Sequence, residues 1–545
     1  MEYRNGGELL VQLLRDNGVD TVFGLISVHN LPLIEAVERE LRFVPVRHEA
    51  AAVNAADGYA RVTGRLGCAI TSTGTGAGNA SGSMIEALSA GSPVLHVTAN
   101  IPTEYLDAGR GFIHEFPAQP KMLDAVSKWS IRITDADLAP KALYEAVGQA
   151  LRPPQGPVTV EWPIDLQYAA GRYEPDAGSS PSAPFKASAG VEEAAELLGR
   201  ARRPVFWIGG GGRHARTQVR LLAERIGAGV FTSNAGRGSL PEDHPLCVGN
   251  FAISAAGQGL LDQADILLSV GTHFRSNETN TYKLRLPTQH VQVDLDPKAL
   301  GRVYPASVGL VGEAGAVLEA LASSIIAAEP LTSWLDAVTT VRRQVRSDLR
   351  AAIGPYSSVC DAIRSALPRD AVIVRDVTIP SSSWGNRLLD IYDPRTNVFA
   401  RGGGIGQGLA MAIGAALGRP GATAVLIVGD GGLAVHMGEL LTLVQEQARL
   451  TVLVFNDRGY GVLRNTQIAR GVRPAGVDLH TPDFETLARS LPLDFMRIER
   501  PEDASAVIAF AVAAAHPMLV EIDVDRLGPM TAPFTPPVEV PEEWT

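Results

Sequence analysis

Short runs of β-branched and apolar residues recur along this chain, each separated from the next by a stretch of helical length. That alternation restricts the fold more than any other feature. "DTVFGL", "LGCAITST" and "SPVLHVTAN" are strand-like, whereas "GGELLVQLLRDNG" and "GNASGSMIEALSAG" between them have helical character. Strands interleaved with helices build a parallel sheet with both faces covered. The first such unit closes near "GPVTVEWPIDL", and the Ser/Pro/Gly/Ala-rich "EPDAGSSPSAPFKASAG" then reads as an interdomain linker. A second unit runs from "VEEAAELLGRARRPVFWIGGGG" through "ADILLSVGTHF" and "HVQVDLDP" to Ala328. A mostly helical connection, "LTSWLDAVTTVRRQVRSDLRAAIG", leads to a third unit from "AVIVRDV" to "PMLVEIDVD". The expectation is an α/β chain with domains at residues 1–172, 190–328 and 355–528, and a tail at 529–545 too rich in proline for a regular element.

Length supports this division, because 545 residues exceed one hydrophobic core and suggest roughly three to four domains. Hydrophobic content of 46% with 20% charged residues is that of an ordinary soluble protein. A formal charge of −11 without a lysine or arginine cluster argues against nucleic acid as a partner. No apolar run reaches the length of a membrane span; even "AVIAFAVAAAHPMLVEI" is broken by His516 and Pro517. The opening "MEYRNGGELL" is polar where a signal peptide is basic and then apolar. Cys68, Cys247 and Cys360 lie far apart without metal-ligand spacing, which fits a cytoplasmic protein with buried structural thiols.

The first and third units echo each other. "STGTGAGNASGSMIEALSAGSPVLHVT" and "RGGGIGQGLAMAIGAALGRPGATAVLIVGD" are each a glycine-rich loop, a small-residue helix and a β-branched strand. Two such units can face one another across a cleft, although any βαβ fold gives something similar. The strongest local signal is "ATAVLIVGDGGLAVHMGELLTLVQEQARLTVLVFNDRGYG". Its strand "AVLIV" runs toward Asp430 and the next, "TVLVF", toward Asn456 and Asp457, so three oxygen-bearing side chains gather where parallel strands end. That edge is where open α/β sheets bind ligands. Magnesium takes hard oxygens, commonly one or two carboxylates plus substrate phosphates, and the glycines around Asp430 let backbone amides approach phosphate. An isolated GDG is merely a turn; here the 24 residues from Gly432 to Phe455 separate it from Asn456.

GDG, that interval and an asparagine together resemble the diphosphate-binding motif of thiamine diphosphate-dependent enzymes. The chain is similar to the acetolactate synthase, benzoylformate decarboxylase and benzaldehyde lyase group. The resemblance covers nearly the whole chain and includes "GGELLVQLLRDNGVDTVFG", "RHEAAAVNAADGYAR", "TSTGTGAGN", "GPVTVEWPIDL" and "GGGIGQGLAMAIGAALG". It implies three Rossmann-like α/β domains with parallel sheets: pyrimidine-binding, central and diphosphate-binding. It also implies magnesium held by Asp430, Asp457 and the backbone carbonyl of Gly459. Many relatives carry a second asparagine where this chain has Asp457, and the extra negative charge beside a diphosphate should change affinity.

Glu49 falls where the family places the acid bonded to N1′ of the aminopyrimidine, which drives the imino tautomer that removes the thiazolium C2 proton. Burial among Ala50, Ala51 and Ala52 would raise its pKa. The alanines also allow a second helix to come close, consistent with an interface; an acid at a helix start can otherwise simply stabilise the helix. Ile405 stands at the apolar wedge that bends the cofactor, and the Gly403 carbonyl would accept a bond from the amino group. Thr378, Gly429, Gly431, Gly432 and Asn456 fall along the expected diphosphate stretch, followed by Tyr460, Gly461 and Val462; Val462 and Leu463 are expected to form an apolar wall. The family draws its pyrimidine and diphosphate sites from different subunits, so a homo-oligomer, dimer or tetramer, is implied.

Substrate choice rests with residues above the thiazolium. His29, in "FGLISVHNLPL", falls where benzaldehyde lyase has a histidine, and His114, in "GFIHEF", lies on a loop that often borders the pocket. Either could relay protons, or be an ordinary packing or surface histidine. In the central unit, "VFWIGGGGRHA" lacks the third glycine of a dinucleotide fingerprint. "CVGNFA" stands where acetolactate synthases carry a "GMHG"-like segment, so FAD is doubtful; "GTHFRSNETNTYKL" could border a nucleotide or simply close the domain. The leading expectation is a 2-oxo acid decarboxylase or carboligase using thiamine diphosphate and magnesium. A lyase or hydrolase acting on an acyloin or diketone without decarboxylation is the alternative, and a flavin- or nicotinamide-dependent oxidoreductase the reading of a different class. No G-x-S-x-G elbow, Walker lysine or H-E-x-x-H motif supports a rival chemistry.

Overall fold

The computed structural model describes residues 2–172 and 190–536. Nearly all of the expected linker and the end of the tail lie outside the described residues, and residues 529–536 form no helix or strand. Three six-stranded sheets follow in chain order, and every strand pair within them is parallel. A two-stranded antiparallel ribbon joins Glu2–Tyr3 to Gly171–Arg172.

The first sheet comprises β1 (Thr21–Gly24), β2 (Arg42–Pro45), β3 (Gly67–Thr71), β4 (Val94–Asn100), β5 (Trp129–Arg132) and β6 (Val158–Pro163). Its spatial order is β2-β1-β3-β4-β6-β5. The central sheet comprises β7 (Pro204–Ile208), β8 (Gly229–Thr232), β9 (Cys247–Gly249), β10 (Ile266–Val270), β11 (His290–Asp294) and β12 (Val308–Val311), in the order β9-β8-β7-β10-β11-β12. This is the doubly wound nucleotide-fold order. The third sheet comprises β13 (Val372–Arg375), β14 (Asn397–Phe399), β15 (Ala424–Gly429), β16 (Leu450–Asn456), β17 (Asp494–Ile498) and β18 (Met518–Asp523). Its order, β14-β13-β15-β16-β18-β17, repeats that of the first sheet strand for strand. The echo seen in the sequence is thus a repeat of topology.

The first and third sheets share a core through two helices, α1 (Glu49–Thr63) and α3 (Gly408–Gly418); between them in sequence lies α2 (Thr75–Ala90). At α1 the ring Nδ1 of His48 accepts the Ala50 N–H at 3.1 Å, and Gly64 ends the helix in the left-handed region at φ +72°. α1 and α3 pack almost backbone to backbone. A Cβ on Gly58 would lie 2.1 Å from the Met411 carbonyl oxygen, and one on Gly414 only 1.9 Å from that of Ala55. The second helix expected beside the alanines is therefore α3 of the same chain.

The central unit is bolted to the third by a buried ion pair. Arg237, in the central unit, pairs with Glu242 and donates to the carbonyls of Gly385 and Leu389, while the Ile391 N–H donates to Glu242. All three cysteines are buried and unpaired, as expected. Among the described residues no helix is long and apolar enough to cross a membrane.

Candidate active site

Parallel sheets leave their loops, and the free N–H groups of the helices that follow, at the carboxyl ends of the strands. In the third sheet the order reverses between β13 and β15, and the loops after β13, β14, β15 and β16 converge there. β15 ends at Gly429, and Asp430 opens a short helix to Val435. Asp430 is buried; its Oδ1 accepts the Asp457 N–H at 3.2 Å, and its Oδ2 has no partner. Burial raises the Asp430 carboxyl above the usual carboxylate range. Burial, followed by the charge of Asp430, pushes Asp457 up to about 7. Two crowded carboxylates with an orphaned oxygen form a donor set that a hard divalent cation would satisfy. Among the described residues no group of three or more His, Cys, Asp and Glu side chains is placed to hold a metal. Gly459 lies beside this pair: its carbonyl oxygen would be 3.3 Å from a Cβ on Gly431.

Space is tight at several glycines around Asp430 and Asp457. A Cβ at Gly431 would lie 2.8 Å from the Tyr460 ring, and one at Gly429 3.0 Å from Thr378 Oγ1. A Cβ at Gly461 would overlap Asp457 Oδ2. Gly429, Gly431, Thr378, Tyr460 and Gly461 thus lie around Asp430 and Asp457. Asn456 differs: its amide donates to Glu521 at 2.7 Å and its oxygen accepts the Arg458 N–H, so the side chain is spent on holding β16 and its loop. Beside Asp457 and Gly461 lies a cavity of about 180 Å³ that Thr378, Asn465 and Phe534 also line.

The loop after β14 carries Gly403 and Ile405. Gly403 has φ +83° and open space where a side chain would be, and Ile405 is exposed. Two carboxylates that sequence reasoning missed fix this loop. Asp376, at the end of β13, accepts the N–H groups of Val377, Gly406 and Gly408, and burial pushes its carboxyl up to about 6. Gly432 packs beside it. Glu86, on α2, accepts the N–H groups of Arg401 and Gly402 and is itself paired with Arg61.

The first sheet gathers a second group of the expected residues. The topological reversal there lies between β1 and β3, and Glu49, His29 and the Thr73–Gly74 loop gather at it. Glu49 Oε2 accepts from Asn79 on α2 at 3.0 Å, and Gly76 packs against the carboxylate, where a Cβ would lie 2.9 Å from Glu49 Oε1. The neighbouring alanines are buried, but the carboxylate is only half covered. The burial expected for Glu49 is not supplied by this chain alone, because α2 covers one side of the acid and leaves the other open. His29 Nε2 and His114 Nδ1 lie 3.1 Å apart, which joins the two histidines expected to border the pocket. Among the described residues Glu49 makes no hydrogen bond to Gly403 or Ile405. Its neighbour His48 approaches His436, whose Nδ1 bonds the Gly406 carbonyl. Val462 and Leu463 lie at the start of helix Gly461–Ala469, and Leu463 is exposed.

A cavity of about 900 Å³ lies between the central sheet and the third domain, with Gly211, His273, Arg275, Arg401 and Gly403 in its wall. The segment "GTHFRSNETNTYKL" thus borders a cavity. Burial and the neighbouring guanidinium groups lower Arg401 to about 9.

Three family models match the chain. They are described as the N-terminal TPP binding domain, the central domain and the C-terminal TPP binding domain of thiamine pyrophosphate enzymes, over residues 4–123, 191–321 and 380–522. A probable 2-ketoarginine decarboxylase of Pseudomonas aeruginosa is 33% identical over 91% of this chain and 90% of its own. The large subunit of acetolactate synthase isozyme 2 of Escherichia coli is 28% identical over 98% of both chains. A probable acetolactate synthase large subunit of Methanocaldococcus jannaschii is 27% identical over 98% of this chain and 93% of its own.

Proposed function

Because the chain belongs to the thiamine pyrophosphate enzymes, matched across all three of their domains, we propose that it is a magnesium- and thiamine diphosphate-dependent 2-oxo acid decarboxylase or carboligase. The observation that carries the site assignment is the buried Asp430 with its unpartnered Oδ2 beside Asp457, at the carboxyl edge of the third sheet.

In this reading Asp430, Asp457 and the Gly459 carbonyl hold magnesium. The N–H groups of Gly429 to Gly432, with Thr378 and Tyr460, receive the diphosphate. When bound, thiamine diphosphate supplies the electron sink that accepts the pair released as a bond to a carbonyl carbon breaks. Glu49 holds a proton at the aminopyrimidine N1′, and Gly76 leaves its carboxylate room to do so. The Gly403 carbonyl accepts from the amino group, and Ile405 supplies the apolar support. Val462 and Leu463 wall the substrate side, with His29 and His114 moving protons there.

Glu49 is half open on one chain and bonds to neither Gly403 nor Ile405. A homo-oligomer in which one copy supplies Glu49 and another the Gly403 loop would close the site, as a dimer or as a tetramer of two such pairs. The acyl donor belongs among 2-oxo acids, the substrate class in the name of the decarboxylase relative.

The test is carbon dioxide release from aliphatic, aromatic and guanidino 2-oxo acids with magnesium and thiamine diphosphate, comparing the wild type with Glu49→Gln. Release that the substitution abolishes is expected. No release from any acid by a cofactor-loaded enzyme would overturn decarboxylation and direct the search to acyloins and diketones.

A further inference from the structure

Helix Gly461–Ala469 follows directly on the loop that carries Asp457 and Gly459, and its Arg464 turns back onto that loop. One Nη donates to the Asp457 carbonyl at 3.2 Å, and the other to the carbonyls of Arg458 at 3.3 Å and Val477 at 3.5 Å. The Nε donates to Asp478 Oδ1 at 3.0 Å. The guanidinium lies so close over Gly459 that a Cβ there would be 2.6 Å from its Nη2, and 2.0 Å from the Val477 carbonyl oxygen. Backbone bonds from the Tyr460 N–H to Val477 and from the Leu479 N–H to Arg458 complete the clasp. Arg464 thus holds together the two residues at which the proposed function puts a side-chain and a backbone ligand.

The same guanidinium faces the Asp457 carboxylate, 3.8 Å from Oδ2. The side chain of Asp478, its other acidic neighbour, is 79% exposed, whereas that of Asp457 is 19% exposed. Solvent screens the outer pair, and the inner pair keeps more of its attraction. The other arginine of the loop, Arg458, is engaged by Asp523 and Asp525.

We propose that Arg464 is a positioning residue that balances the charge of Asp457, and that this charge allows a site with two carboxylates to take a magnesium-bound diphosphate. This rests on the thiamine-dependent reading above and specifies how the metal loop of that site is held and charged.

Around a divalent cation, the carboxylates of Asp430 and Asp457 together cancel the charge of the metal. A diphosphate then meets a neutral centre, with backbone N–H groups to receive its own charge. The guanidinium beside Asp457 restores one positive charge to the loop. With an amide at residue 457 the metal centre would keep a charge of its own, and Arg464 would matter less. What Arg464 contributes to cofactor binding therefore depends on the charge at residue 457.

A double-mutant cycle on magnesium-dependent thiamine diphosphate binding tests this, read by calorimetric titration of the full chain without substrate. Arg464→Gln is expected to weaken binding about tenfold more in the wild type than in the Asp457→Asn background. Arg464→Met, a second uncharged variant, should behave in the same way. Arg464→Lys keeps the charge and loses the fork, and is expected to cost the same in both backgrounds. Equal losses for the uncharged variants in the two backgrounds would show a purely structural clasp and overturn the charge balance. A larger loss for Arg464→Lys in the wild type than in the Asp457→Asn background would overturn it too, because charge would not then be the cause. A wild type that binds no thiamine diphosphate in the presence of magnesium would overturn the thiamine-dependent reading itself, and the proposal with it.

Discussion

Asp430 and Asp457 repel each other, and burial makes both carboxylates harder to ionise. A cation between them would relieve that repulsion, which is the ground for assigning the pair to a metal. Replacing Asp430 with Ala is expected to weaken magnesium-dependent thiamine diphosphate binding by about 100-fold or more, measured by calorimetric titration. Asp457→Asn keeps an oxygen ligand and removes one charge, and should hold binding within about tenfold of the wild type. Away from the site, Arg237 and Glu242 form a fully buried pair. Glu242→Gln leaves the guanidinium without its anion, and a loss of about 3–5 kcal/mol in urea unfolding is expected. Asp430 and Asp457 stood out in the sequence because the interval from GDG to Asn456 frames them, and Glu49 because the family resemblance places an acid there. Asp376 and Glu86 did not: the bonds by which they hold the loop reach Gly406 and Gly408, 30 and 32 positions from Asp376, and Arg401 and Gly402, 315 and 316 positions from Glu86, and no local pattern records such a bond. The bond from Asn456 to Glu521 could not be read from the sequence either, because Glu521 lies on a strand 65 residues further on.

The helices that carry these residues meet where small residues let backbones touch. Gly58 and Gly414 each face a carbonyl of the opposite helix at distances no Cβ can occupy. Gly414→Val should force α1 and α3 apart, destabilise the fold by about 3 kcal/mol and lower the midpoint of thermal unfolding. A near-normal midpoint would show that the crossing can relax. Strand β4 carries a different liability. His96 is fully buried between Thr71 and Thr159, and burial lowers it to about 4. The unfolded chain takes up this proton near pH 6.5 and the folded one does not, so stability is complete above about pH 6.5 and falls toward pH 4. The loss is on the order of 3 kcal/mol. His96→Gln should flatten that part of the pH dependence of urea unfolding. The strand and helix alternation was readable from periodicity. The identity of strand order in the first and third sheets was only hinted at, because glycine loops and β-branched strands do not record which strands become neighbours.

At the scale of the whole molecule, the proposed function gives one chain two half-sites. The half at the third sheet has the paired aspartates, the glycine cradle and the Gly403 loop; the half at the first sheet has Glu49 and the histidine pair. Between them α2 turns outward a stripe of Thr75, Gly78, Asn79, Gly82, Ile85 and Leu88, with open space over both glycines. Sedimentation at micromolar concentration is expected to show a dimer or tetramer, and a monomer binding thiamine diphosphate with full affinity would contradict a shared site. The measurement that bears most directly on the chemistry needs no substrate. It is the rate of hydrogen–deuterium exchange at C2 of bound thiamine diphosphate, in the wild type and in Glu49→Gln, each loaded with magnesium. Fast exchange in the wild type that slows about 100-fold or more in the variant is expected, as for loss of a positioned acid. Equal rates in the two proteins would remove Glu49 from cofactor activation and contradict the proposed site.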